Sequence, residues 1–558
     1  HTAHNNTQIV LDGSARKLID FLYLLDTKII IVESWTPLSE LFRKYVMTDE
    51  VSTNVQRSAQ STVAGLFLEH ARRMPKAIAI DDGNNERTYS ELSKRSARLA
   101  SVLIARNVGV GDRIAILSEN RMEFLEVFIA AARIGAIVAC QNWRLAKPEL
   151  RHCLSLVEPI ITLSSPRYAE NLKSIEAARD VIVFGEAYEH ILRQSKPVDE
   201  IADLDPEAAL LILYTSGTTG LPKGAVISHR AEIARNLVIR AEFGIRPTDT
   251  FTAWSPLYHM GAAENALGTL MTGGKVIVVE GFDQERLGQV VAQNELGWLL
   301  LMPGMVGDFA SYLESSGIQA KGVRVCGVMA DLVPPEDVQR ITTLLGAPYA
   351  NTFGATETGC PPCSSSLIPV GIAPNNLSKE QSSYCEVRLV DPEDNDVPDG
   401  LPGELCMRGP TNFSGYWRAL ETNQQEFRGG WFHMGDVFVR NPDGTLDFVD
   451  RVKYLIKSGG ENIYPAEIER VIMGDPRVAD VAVVRRTDSK WGEVPVAFVA
   501  LREGETKSDV LFVMCREQLA GYKQPKDIIY IDIEDFPRSA SGKIQRHELE
   551  KQLETAPS

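Results

Sequence analysis

Leu211-Ile-Leu-Tyr-Thr-Ser-Gly-Thr-Thr-Gly-Leu-Pro-Lys-Gly224 carries an apolar strand pattern into a loop of glycines, small hydroxyl residues and one lysine. Gly217 and Gly220 let backbone N–H groups approach an anion closely, and Thr215, Ser216, Thr218 and Thr219 add hydroxyl donors. Lys223 adds a positive charge on a long, adjustable stem. The combination suits a polyphosphate. It is not a Walker A loop, because Lys223 follows Pro222 and precedes Gly224 where that motif places glycine and Ser/Thr. A plain Gly/Ser/Thr surface loop is the alternative, and the ordered string disfavours it.

Outward from this loop, helix patterns alternate with short buried strands. Thr88 and Glu91 form a capping-box signature ahead of Leu92, Leu99, Val102 and Leu103 on one helical face. Strand patterns follow at 113–117, 136–140, 159–163, 181–184, 211–214, 275–279 and 323–328, with a helix over 122–134. The alternation predicts an α/β fold with a parallel sheet covered by helices on both faces. After Glu386 short strands separated by Asp/Pro/Gly turns predict a small β subdomain, and the last hundred or so residues read as a compact α+β domain. The predicted division is an extension over 1–61 with no assignable role, a large domain over 62–450 and a C-terminal domain over 451–558. Thr48 to Thr62 reads as a polar linker.

The chain has 558 residues, 44% of them hydrophobic and 24% charged, the balance of a globular enzyme. Its formal charge of -16 sets aside nucleic-acid binding, which needs a basic face. Eight cysteines in so long a chain make no disulfide framework. Cys360-Pro-Pro-Cys363 lacks a second pair at zinc spacing and reads as two reduced loop thiols. No apolar run is long enough to span a bilayer, and no signal-peptide pattern is present, so a cytoplasmic location is expected.

Tyr214 to Gly224 resembles the phosphate-binding signature of the adenylate-forming (AMP-binding) superfamily of acyl-CoA synthetases, firefly-type luciferases and nonribosomal peptide adenylation domains. Four further stretches match in order. Asn351-Thr-Phe-Gly-Ala-Thr-Glu-Thr-Gly359 is similar to the aromatic-Gly-x-Thr-Glu motif. That resemblance implies adenine stacking for Phe353, an adenine-edge contact for Asn351, an α-phosphate contact for Thr356 and Mg²⁺ for Glu357, with Thr352 and Gly354 completing the turn. Phenylalanine stands where the family usually has tyrosine. Gly430 to Val437 resembles the motif whose aspartate holds the ribose hydroxyls, a role that falls on Asp436, with Met434 in place of the usual threonine. Asp450 to Asn462 is similar to the interdomain hinge: Arg451 becomes a second ribose contact, Lys453 the hinge, and Ser458, Gly459, Gly460 and Glu461 the loop serving thioester formation. Pro537 to Arg546 places Lys543 where the family has the lysine that bridges substrate carboxylate and α-phosphate.

The resemblance therefore implies ATP, Mg²⁺ and coenzyme A as co-substrates and cofactors, a small carboxylic acid as partner, and a mobile C-terminal domain; it leaves room for a homodimer. Ala253 to Gly261 is similar to a segment of acyl- and aryl-CoA ligases that places His259 near the acyl tunnel. The acyl pocket is expected around His259, Met260, Gly261, Gly327, Met329 and Ala330, with small residues and methionines suggesting a medium, long-chain or bulky apolar acid. Glu264 reads as an ordinary helix residue, and no carboxylate lies between Phe251 and Ala263 to hold an α-amino group. Loading of a carrier protein, a luciferase-like reaction and a non-catalytic relative remain as alternatives; retention of Lys223, Glu357 and Lys543 argues against the last.

Overall fold

The computed structural model describes residues 49–198, 201–215, 221–458, 461–538 and 542–555. The chain divides into two units, residues 1–60 and 61–558. Within the first, Asp49–Ser58 forms a helix, where the sequence reads as linker. Nothing there breaks a helix: the segment holds no glycine or proline, and Arg57 in its last turn complements the helix dipole.

In the second unit the strands that flank the Gly/Thr/Lys segment pair with each other. Ala209–Thr215 pairs antiparallel with Lys223–Ser228, and Thr215 lies directly across from Lys223. The second strand is not legible in the sequence, because Lys223 and Gly224 read as loop. This hairpin closes one edge of a six-stranded sheet whose other members, Val181–Val183, Ile161–Ser164, Arg113–Leu117 and Ile137–Cys140, run parallel to Ala209–Thr215. The remaining expected strands do not join it. Val276–Val278 pairs with Ile78–Asp81 and Phe251–Ala253, while Gly322–Cys326 pairs with Glu295–Leu299 and Tyr349–Ala350, so the expected strands divide among three sheets. Every residue of helix Met122–Ile134 is buried, its charged Glu126 paired with Arg87 and Arg95, and the helix packs against helices Val63–Arg73, Tyr89–Ala105 and Met260–Thr272. The Thr88–Glu91 capping box forms as expected, with both reciprocal hydrogen bonds present.

The β subdomain is a four-stranded antiparallel meander, Glu386–Val390, Pro402–Arg408, Phe432–Arg440 and Leu446–Arg451. Its last strand runs without interruption into the 3-10 turn Val452–Tyr454 and then into the C-terminal sheet. That sheet centres on the long hairpin Val478–Asp488 and Gly492–Leu501, with apolar clusters on both faces. Cys360 and Cys363 sit in the strand Gly359–Cys363, paired with Phe353–Ala355, and not in a loop. All eight cysteines are free thiols. Among the described residues no helix is long and apolar enough to cross a membrane.

Candidate active site

Strand pairing brings Asp436 and Arg451 side by side, since they are register partners in the meander. Asp436 is 2% exposed, and Arg451 Nε lies 2.9 Å from its Oδ1. The contact lacks hydrogen-bond geometry, so this buried carboxylate oxygen has no hydrogen-bond donor among the described residues. Burial raises the Asp436 carboxyl to about 6, with Arg451 opposing and Glu357 reinforcing the shift. A buried, under-satisfied acceptor of this kind fits a pair of ligand hydroxyls. The approach to it is held by Glu404, whose Oε1 accepts from the Gly435 N–H at 3.1 Å and whose Oε2 lies 3.1 Å from His433 Nδ1.

Glu357 lies at the end of the Phe353–Ala355 hairpin arm. Its Oε1 accepts a 2.8 Å hydrogen bond from Tyr416 Oη, and its backbone carbonyl accepts from Phe413 N at 2.8 Å and Arg235 Nη2 at 2.9 Å. The same Tyr416 ring carries Lys223 Nζ 4.7 Å from its centroid, and Lys223 also lies 3.3 Å from Glu426 Oε1. Lys223 and the candidate metal carboxylate Glu357 thus share one tyrosine. Burial and the Glu357 carboxylate push the Tyr416 hydroxyl far above its ordinary range, so it stays a proton donor.

Phe353 is partly buried, stacked on Phe448 at 5.4 Å and edge-on to Phe438 at 4.8 Å, which braces its ring. Gly354 is required by space: a Cβ there would lie 2.0 Å from the Gly359 carbonyl oxygen. Asn351 is held inside the protein, its Oδ1 accepting from Lys379 Nζ at 2.7 Å and its Nδ2 donating to the Leu377 carbonyl at 3.0 Å. Thr352 is buried beside it and Thr356 partly buried.

Lys543 follows Gly542, whose φ of +80° favours glycine, in a turn tied back by the Arg538–Gly542 hydrogen bond. As a whole residue Lys543 is exposed, but its ammonium is crowded by protein. That crowding, with Arg451 and Lys453, lowers its pKa, while Asp436 and Glu357 hold it up. The charge of Lys543 also reaches His259, whose imidazole is pushed down to about 4 by burial first, then by Arg144 and Lys543. Asp436, Arg451, Lys453, Glu357, Lys543 and His259 therefore share one electrostatic neighbourhood although they span 285 positions of sequence, 259 to 543.

His259 starts helix Met260–Thr272, on which Met260 and Gly261 keep partial exposure while 262–271 are buried. Glu264 is not the plain helix residue the sequence suggests. It is buried and ion-paired to Arg235, and burial raises its carboxyl against that pairing. Gly327 has φ +71°, and a Cβ there would strike the Tyr349 ring at 2.0 Å; Tyr349 Oη in turn donates to the Val328 carbonyl. Met329 adopts φ +49° and is 40% exposed, while Ala330 is buried. Ser458 is buried at the end of strand Ile456–Ser458, which pairs with Glu461–Ile463. Ser216, Gly217, Thr218, Thr219, Gly220, Gly459 and Gly460 lie outside the described residues. Tyr416, Arg235, Glu426 and Lys379 carry no sequence signal, since each acts through partners distant in the chain.

The model of the AMP-binding enzyme family matches residues 67–417, and that of the AMP-binding enzyme C-terminal domain matches 467–543. The chain belongs to the AMP-binding enzyme family. The motif resemblance and the α/β architecture with a separate C-terminal domain are thereby borne out. Feruloyl-CoA synthase of an Amycolatopsis species is 34% identical over 492 residues, 87% of this chain and 98% of that protein. Indoleacetate–CoA ligase of Aromatoleum aromaticum is 32% identical, over 86% of this chain and 96% of its own length. Among solved structures, ATP-bound MatB from Rhodopseudomonas palustris aligns with a TM-score of 0.76 at 27% identity, covering 88% and 99% of the two chains. The o-succinylbenzoate CoA synthetase of Bacillus subtilis in complex with its acyl-adenylate intermediate aligns at 0.75 and 26% identity, covering 87% and 97%.

Proposed function

We propose that this protein is an ATP-dependent ligase that joins an aromatic carboxylic acid to coenzyme A. The observation that carries the reading is the gathering of Lys543, Asp436, Glu357 and His259 in one electrostatic neighbourhood. In the first step the acid's carboxylate oxygen attacks the α-phosphorus of ATP, forming acyl-AMP and releasing pyrophosphate. Negative charge grows on the oxygens around phosphorus, and Lys543 supplies the positive charge to meet it. Asp436 and Arg451 hold the ribose and Phe353 faces the adenine, while Thr215, Ser216, Gly217, Thr218, Thr219, Gly220 and Lys223 receive the departing phosphates. Glu357 suits Mg²⁺: it is a hard oxygen donor with only Oε1 engaged by Tyr416. Magnesium, when bound, neutralises phosphate charge.

In the second step the CoA thiol sulfur attacks the acyl carbon, the thioester forms, and AMP leaves with the bonding electrons. The segment from Ser458 to Glu461 serves this step once the C-terminal domain turns about Lys453. Within the acyl pocket His259 is uncharged at neutral pH, which leaves Lys543 as the cation facing the substrate carboxylate. Glu264 is committed to Arg235, so it is not free to bind a substrate amine. A bulky ring-bearing acid fits this uncharged, partly apolar lining, and the curated relatives named for ferulate and indoleacetate favour the aromatic class over a long alkyl chain. A reduced, cytoplasmic setting belongs to the same proposal and agrees with the eight free thiols.

The test is mass spectrometry of the purified protein with ATP, Mg²⁺ and a panel of aromatic and alkyl acids, with and without CoA. AMP and aryl-CoA forming together only when CoA is present is the expected result. Acyl-adenylate that accumulates and ignores CoA would overturn the ligase reading in favour of a carrier-protein or luciferase-like acceptor.

A further inference from the structure

We propose that the buried Arg235–Glu264 pair positions Glu357 through its backbone carbonyl; this rests on the reading of Glu357 as the magnesium carboxylate. Arg235 is 2% exposed and Glu264 5% exposed. They stand on the adjacent helices His229–Phe243 and Met260–Thr272. The guanidinium divides its donors three ways: Nη1 to the Glu264 carboxylate, Nε to the Thr411 carbonyl at 2.8 Å, and Nη2 to the Glu357 carbonyl at 2.9 Å. The three bonds leave from three separate nitrogens held in one plane, a spread that the single nitrogen of an ammonium does not offer.

The turn that carries Glu357 is also moulded on the arginine's stem. Gly359 has φ +77°, and a Cβ there would lie 2.9 Å from both Arg235 Cγ and Cδ. The helix contact behind the pair is specified as well. Asn236 Nδ2 donates to Glu232 Oε1 at 2.8 Å and to the Glu264 carbonyl at 3.1 Å. Its Oδ1 occupies the place of a Gly268 side chain, only 1.5 Å from where a Cβ would stand.

An ion pair this deep is a poor source of stability, because desolvation offsets most of its attraction. What it supplies is a fixed point. Together with Tyr416 on Oε1, it restrains Glu357 at backbone and side chain, so the carboxylate does not have to be ordered when metal arrives.

The test compares wild type with the double variant Arg235→Leu/Glu264→Leu, which removes both buried charges and avoids an unpaired one. Electron paramagnetic resonance with Mn²⁺ as the probe, in the presence of ATP, reads metal affinity without turnover. The expected result is a loss of about tenfold in Mn²⁺ affinity, with a matching rise in half-saturating Mg²⁺ for acyl-CoA formation and a KM for the acid within about twofold of wild type. Should the double variant fail to fold, Arg235→Lys keeps the charge pair but gives up the fork, and its expected loss is about fivefold. Wild-type Mn²⁺ affinity in a folded variant would overturn the positioning role alone. A wild-type protein that binds no Mn²⁺ with ATP would instead overturn the reading of Glu357 on which it rests.

Discussion

Asp436 shows how a single buried side chain can be held at the expense of stability. Its carboxyl is raised from 3.8 to about 6 by burial. A raised carboxyl favours the protonated folded state, so the penalty is absent below about pH 4, grows as pH rises, and levels off above about pH 6. A rise of that size corresponds to roughly 3 kcal/mol at most. Asp436→Asn should therefore gain up to about 3 kcal/mol of stability at pH 7 in urea titrations, and the gain should shrink toward pH 4. The same variant should bind ATP more weakly, because an amide offers one neutral accepting oxygen where the carboxylate offers two charged ones. In wild type, the KM for ATP should rise as pH falls below about 6, where Asp436 takes up a proton. A KM that stays flat down to pH 5 would remove Asp436 from the ribose site.

At the scale of elements, two hairpins hold the chemistry. The hairpin of Ala209–Thr215 and Lys223–Ser228 sets Thr215 opposite Lys223, so the loop between them starts and ends at one edge of the sheet. In the second, Phe353–Ala355 against Gly359–Cys363, the chains run so close that Gly354 has no room for a methyl group. The colliding atoms are backbone, which cannot turn aside as a side chain could. Gly354→Ala should therefore cost on the order of 3 kcal/mol in urea midpoints and lower ATP turnover with it. A variant of unchanged stability would mean the hairpin relaxes at little cost. These elements are unequally legible in the sequence. Helix Met122–Ile134 and the Thr88 cap can be read there because their signals are local. The strand Lys223–Ser228 and the strand character of Cys360 and Cys363 cannot, because strand pairing depends on a partner that proximity in sequence does not reveal.

For the molecule as a whole, the C-terminal domain presents Lys543 to the site occupied by Asp436 and Glu357, the arrangement suited to adenylation. The 3-10 turn Val452–Tyr454 joins the parts, and the Lys453 carbonyl accepts from Arg485 at 3.3 Å. Lys453→Pro should stiffen that turn, leaving adenylation near wild type while slowing thioester formation from supplied acyl-adenylate by at least about tenfold. Lys543→Ala should do the reverse, lowering adenylation by about 100-fold or more and sparing the thioester step. Single-turnover assays of the two half-reactions separate these outcomes. Equal slowing of both steps by either variant would end the division of labour.

What the sequence by itself determined are the local signatures: the Gly/Thr/Lys string, the turn of Phe353 to Glu357, Asp436 with Arg451, and Lys543 between Gly542 and Ile544. Such signatures are legible because each is a run of adjacent residues whose order along the chain carries the whole pattern. Only the tertiary structure decided which groups support them. Tyr416 against Glu357, Arg235 against Glu264, Lys379 against Asn351 and Glu426 against Lys223 are contacts between residues 28 to 203 positions apart. A buried charge carries no mark in its own neighbourhood of sequence. Its role is set by which partner the folded chain brings within hydrogen-bond reach, and the large desolvation cost of burying it alone makes that partner obligatory.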